Sequence, residues 1–160
     1  MARLAEMFPG KTIIGLDWAE PSRDIVEEMR RLRGWKVHGR LFDFFNPDET
    51  LEIPAGSAVF TVGALEQTGT GHDRFIDFLM ARRPELCLFV EPVLEWYDPG
   101  NLIDYLAIRA HETRNFWRGF PARLEQFEKE GRAQVIKRKR SHFGSLVLEG
   151  YSQTIWRPVG

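Results

Sequence analysis

A chain of 160 residues, 43% hydrophobic and with a formal net charge of −1, has the make-up of one globular domain with a sizeable core. Nothing in that balance suggests nucleic acid or another polyanion as a partner. The lone cysteine, Cys87, excludes a disulfide within the chain, and no run reaches the roughly 20 apolar residues of a membrane span.

The first ten residues lack the apolar core of a signal peptide, so a cytoplasmic protein is expected. Thr12–Asp17 (TIIGLD) then reads as a short buried strand, bounded by Gly10 and a turn at Pro21. It ends on an acid. Burying a carboxylate unpaired would cost several kcal/mol, so Asp17 must accept hydrogen bonds or face solvent. It lies four residues ahead of Pro21, too early to cap the following helix, and it suits a ligand carrying hydroxyl groups.

That helix is predicted from Pro21 to Gly34, with proline in its first turn and glycine past its end. Ile25, Val26, Met29 and Leu32 form its packing stripe. A second strand, Trp35–Phe45, carries another acid, Asp43, near its end. A third, Ser57–Leu65, leads into a Gly/Thr-rich loop, Glu66–Asp73, and a helix around Phe75–Arg82. The fourth, Glu85–Val93, also finishes near an acid, Glu91.

Residues 99–131 read as helical, in two segments broken at Gly119-Phe120-Pro121. Leu102, Leu106 and Ala110 share one face of the first segment, and Leu124 and Phe127 mark the second. Two last strands, 133–143 and 145–158, are predicted to form an antiparallel hairpin through a tight turn at Gly144-Ser145. Strands alternating with helices imply an α/β fold, here a doubly wound, mostly parallel sheet closed by that hairpin. Its carboxyl edge is where such sheets bind ligands.

The ordered set GLDWAEPS, FDFF, VGALEQ and FGSLVLEGYSQTIWRP resembles the class I S-adenosylmethionine-dependent methyltransferases over nearly the whole chain. The resemblance implies a Rossmann-like methyltransferase fold, with 1–160 as a single domain, and S-adenosylmethionine as cofactor. It casts Asp17 as acceptor for both ribose hydroxyls and lays Trp18 against the adenine face. It matches Asp43 to the adenine amino group, Phe44 to the adjacent ring contact, and Val62, Gly63 and Ala64 to the loop passing the methionine end. Two features of the family, its first strand and the glycine-rich loop after it, have no counterpart. Met1–Lys11 looks like the back half of the helix that follows that loop. The expectation is a fold incomplete at its start: a fragment, a misplaced start, or a chain completed by another copy or a partner segment.

Most candidate residues carry two readings. Asp43 and Phe44 also make an ordinary turn entry. Glu66 faces substrate or satisfies free N–H groups at a helix start, and His72 is a general base or a surface-loop histidine. Glu91 and Glu95 could activate a hydroxyl or bind a basic side chain. His111 and Arg114, a turn apart, belong to a helix expected over the active-site mouth, or make an interhelical hydrogen bond. The basic run 137–140 is best read as a solvated edge strand, because alternate side chains point to opposite faces. Scattered histidines and a buried cysteine offer no metal site.

Glu66, His72 and Glu91 are thus the catalytic candidates, and Trp96, Tyr97, Tyr105, Phe116 and Trp117 would cap a small-molecule or glycan acceptor. The expected reaction is methyl transfer to a hydroxyl. A non-catalytic methyltransferase-like subunit and a nicotinamide-dependent oxidoreductase are the rival readings.

Overall fold

A computed structural model describes residues 1–142, 144–145, 148–149 and 151–160. Its backbone gathers into two units, Met1–Asp48 and Glu49–Gly160.

The first unit opens with helix α1 (Ala2–Met7) and continues through strand β1 (Ile13–Asp17), helix α2 (Glu20–Arg33) and strand β2 (Val37–Leu41). β1 and β2 are parallel, with Ile13 opposite Val37 and Asp17 opposite Leu41, so α2 is the crossover between them. α2 begins with Pro21 in its first turn, where the missing N–H costs nothing, and ends at Gly34 in the left-handed region. At Gly39 an added Cβ would fall 2.7 Å from the Arg23 carbonyl oxygen. Only glycine lets α2 lie that close to β2. The predicted second strand ran to Phe45, but pairing stops at Leu41 because the Asp43 carboxylate bends the chain by accepting from the Phe45 amide.

In the second unit, β3 (Ala58–Val62), α3 (Asp73–Arg82), β4 (Leu86–Glu91), α4 (Leu102–Arg114) and α5 (Phe120–Lys129) follow in turn, then β5 (Ala133–Lys139) and β8 (Ser152–Pro158). Between the last two lie the short strands β6 (Gly144–Ser145) and β7 (Leu148–Glu149). β3, β4, β8 and β5 form a four-stranded sheet in that order. β3 and β4 are parallel and β8 runs antiparallel to both neighbours, so this sheet is mixed. Helix boundaries follow local chemistry: the Asn101 side chain caps α4 by accepting from the Ile103 and Asp104 amides, and Gly119, left-handed, admits the proline turn that starts α5.

Three expectations need correction. The α/β class holds, but in place of one mostly parallel sheet β1 and β2 form a two-stranded sheet of their own, and two of the three pairings in the four-stranded sheet are antiparallel. Gly144 and Ser145 do not turn the chain; they form β6 and pair with β7. β5 and β8 do pair antiparallel, but a connection longer than a tight turn joins them. Phe143, Leu146, Val147 and Gly150, which the predicted hairpin includes, lie outside the described residues. The basic run is also not uniformly solvated. Lys137, Arg138 and Lys139 are exposed on β5, an edge strand, whereas Arg140 is half-buried and grips Asp104 through both guanidinium nitrogens.

β4 buries Cys87, Phe89 and Glu91 on one face. Phe89 is the hub, with its ring centroid 5.3 Å from Phe120 and 5.8 Å from Trp156. Trp117 stacks on Phe120 at 4.9 Å, and Phe75, Ile76, Leu79 and Leu124 complete this core. No helix among the described residues is long and apolar enough to cross a membrane.

Candidate functional site

In the first unit the carboxyl ends of β1 and β2 come together around a cavity of about 660 Å³. Its walls are Trp18 and residues 41 to 46, with Asp48. Just past the last paired residues, the Phe42 amide donates to the Asp17 carbonyl at 2.8 Å, which sets the Asp17 backbone beside this wall. One Asp17 carboxylate oxygen accepts from the Ala19 amide at 2.9 Å; among the described residues the other has no partner. Asp43 is held the same way, accepting from the Phe45 amide at 2.8 Å.

Phe42 is buried and meets Phe44 edge-on, with centroids 6.0 Å apart, so the cavity floor is fixed. Trp18 is 81% exposed and lines the cavity from the β1 side. Aromatic walls with carboxylates at the edge can take a flat heteroaromatic ring that carries hydroxyl groups. The structure therefore brings Trp18, Asp43 and Phe44 into one cavity with Asp17 at its margin. Phe42, Phe45, Asn46 and Asp48 were not singled out from the sequence, although the FDFF run already placed two of them there.

In the second unit, the loop after β3 carries Val62, Gly63 and Ala64, then a 3-10 turn from Leu65 to Thr68. Gly63 is left-handed at φ +56°, and its amide donates to the Val90 carbonyl at 3.1 Å. Glu91 is 1% exposed, and its carboxylate oxygens accept from the Ala64 amide at 3.2 Å and the Glu66 amide at 3.3 Å. Burial pushes its pKa up to about 7, against the opposing pull of those amides. In this conformation Glu91 binds the loop backbone rather than presenting a carboxylate to solvent.

Glu66 is half-buried, and desolvation raises its pKa while the charge of Arg114 pulls it down. The Glu66 carbonyl accepts from the Trp117 amide at 2.8 Å, and the Trp117 indole N–H donates to the Pro92 carbonyl. His72 corrects the surface-loop reading: it is 3% exposed and packs edge-on against Trp117 and Phe120. Burial lowers its pKa, and its Nδ1 has no hydrogen-bond partner. Glu66 and Glu91 are thus joined through backbone, and His72 is reached through the same Trp117. Of the three catalytic candidates, Glu66 alone keeps substantial exposure.

His111 is fully buried in α4, its Nε2 3.3 Å from the Tyr97 hydroxyl, and burial holds its pKa down at about 4. The Arg140 guanidinium lies over the Tyr97 ring, 5.0 Å from its centroid. Arg114 instead lies over the Phe116 ring. Trp96, Tyr97, Phe116 and Trp117 are largely inside this packing, and Tyr105 is exposed. Among the described residues no group of three or more His, Cys, Asp or Glu side chains is arranged to hold a metal. Set beside known proteins, the chain matches no family model, and no curated protein matches it.

Proposed function

We propose that this protein takes part in S-adenosylmethionine-dependent methyl transfer to a hydroxyl of a small molecule or glycan. The observation that carries the proposal is the Asp17 carboxylate. It ends a parallel strand and, among the described residues, keeps one oxygen unpartnered; its chain neighbour Trp18 and its backbone partner Phe42 line a cavity walled by aromatic rings. A ribose diol offers two O–H donors to a carboxylate, and a purine stacks on aromatic faces. These residues fit the nucleoside half of the cofactor.

When bound, the cofactor supplies an electrophilic methyl group on a sulfonium centre. The protein's share is alignment, which can supply roughly 7–11 kcal/mol of a barrier. By the sequence resemblance, Glu66 is the residue proposed to accept a hydrogen bond or proton from the acceptor hydroxyl, and its raised pKa and partial exposure are compatible with that role. The assignment of Val62, Gly63 and Ala64 to the methionine end rests on the sequence resemblance, and the left-handed Gly63 is compatible with it.

The test is calorimetric titration of S-adenosylmethionine into the wild-type protein and into Asp17→Ala. Loss of hydrogen bonds to a charged group predicts binding weaker by about 1.5–3 kcal/mol in the variant. Equal affinities would remove Asp17 from the site. NADH serves as the parallel ligand, since a dinucleotide also sets a ribose diol on a strand-end acid. Tighter binding of NADH would replace the methyltransferase reading by the oxidoreductase one.

A further inference from the structure

The loop after β3 is held from inside the protein by one carboxyl group. Glu91 sits on the buried face of β4, accepts from the Ala64 and Glu66 amides, and has no ion-pair partner among the described residues. Around it stand neutral groups. Thr61 reaches it from β3, its buried hydroxyl near the carboxyl but outside hydrogen-bond geometry, and Ser152, also buried, pairs with Glu91 from β8. On the loop itself the titratable group is Glu66, and Arg114 of α4 acts on Glu66. His72, beyond the loop, is kept neutral by burial.

A buried carboxylate without a counter-charge is costly unless it is neutralised or reached by water. Its neutral form suits the pocket: the carbonyl oxygen still accepts an amide N–H, and the O–H can donate to Thr61 Oγ1, which lacks a partner.

We propose that Glu91 is the positioning residue of the Gly63–Thr68 loop, and that its proton decides the loop's state. Neutral Glu91 keeps the loop closed over β4; ionised Glu91 drives it open to water. The sign follows from linkage. The closed form raises the pKa to about 7 while an opened, solvated carboxyl returns toward the ordinary value, so rising pH favours the form with the lower pKa. Because the Trp117 amide donates to the Glu66 carbonyl, opening also releases that amide. The inference stands on these hydrogen bonds and is independent of the methyl-transfer reading.

Amide hydrogen exchange followed by NMR between pH 5.5 and 8.5 tests it, with rates corrected to protection factors. Protection at Ala64, Glu66 and Trp117 should fall at least tenfold from pH 6 to 8.5, while the α3 amides of Ile76 and Leu79 hold steady. In Glu91→Gln, a permanently neutral isostere, the loop should stay protected at pH 8.5 and lose its pH dependence. A flat profile in the wild-type protein overturns the proposal, and that arm needs no variant. A folded Glu91→Gln protein whose loop opens with pH as the wild type does would overturn it equally.

Discussion

The two units are built from the same kind of segment, an apolar strand leading into a helix, yet they bury it to different depths. In Glu49–Gly160 four strands carry helices whose apolar faces meet a shared cluster: Phe75, Ile76 and Leu79 from α3, Leu124 and Phe127 from α5, Phe89 and Trp156 from the sheet. In Met1–Asp48 two strands share one long helix, and α2 buries none of its residues. Ile14, Leu16, Ile25 and Leu32 remain exposed there. The difference is one of layers. A two-stranded sheet is too narrow to cover a helix face, whereas a sheet of four strands closes a core. The apolar pattern that writes a strand or helix into the sequence does not say how much of it will be covered.

The largest expected effect breaks the deep side of that comparison. Phe89 is 1% exposed and touches the rings of Phe75, Phe120 and Trp156. Phe89→Ala removes a whole ring from a packed core and should cost about 3–5 kcal/mol of unfolding free energy, measured by urea denaturation. A loss below about 1 kcal/mol would mean that this core is loosely filled and that the contrast with the first unit is weaker than its burial suggests.

A second expectation uses the buried titratable groups, which this unit holds and the first lacks among its buried residues. His111 is neutral in the folded protein down to about pH 4, while the unfolded chain takes up its proton near 6.5. The unfolded state therefore binds more protons in that window, and stability falls as pH drops through it. The loss is at most about 3 kcal/mol. Glu91 works in the opposite sense. The folded form keeps a proton up to about pH 7 that the unfolded chain has lost, so its contribution to stability falls as pH rises from 4.5. His111→Phe should leave the Glu91 slope alone and make the protein less sensitive to acid between pH 6.5 and 4. If denaturation midpoints of variant and wild type fall in parallel with pH, His111 is not the group being titrated.

How far the sequence carries the reader depends on the same physics. Thr12–Asp17 was readable as a strand, and α2 within a residue or so at each end, because proline and glycine mark those ends chemically. The break before α5 was legible at Gly119 for the same reason. The acid at the end of β1 was legible as a candidate because nothing in β1 itself could neutralise it. What was hidden came from long-range contacts. Arg140 looked like one more charge of a solvated run, and its partner Asp104 lies 36 residues away. His72 looked like a loop residue until Trp117 and Phe120 closed over it. Glu91 appeared available for catalysis, and only the folded loop shows its oxygens turned to the Ala64 and Glu66 amides.

The smallest expected effect lies on the shallow side, and it sharpens the comparison most. Leu32 is 63% exposed on the last turns of α2. Leucine and glutamine have similar helix propensities, so Leu32→Gln changes little except the fate of an apolar surface that water already reaches. The unfolding free energy should move by less than about 0.5 kcal/mol, as for surface substitutions generally. A single exposed leucine is unremarkable, but here it shares α2 with an exposed Ile25, while β1 exposes Ile14 and Leu16. Denaturation run at two protein concentrations gives the result its meaning. No effect at either concentration leaves α2 an open face in solution. A cost above about 1.5 kcal/mol at both would show that the chain itself covers Leu32, and the shallow unit would then be deeper than its described contacts. A cost that grows with concentration would assign the cover to a second copy, because association stabilises by mass action.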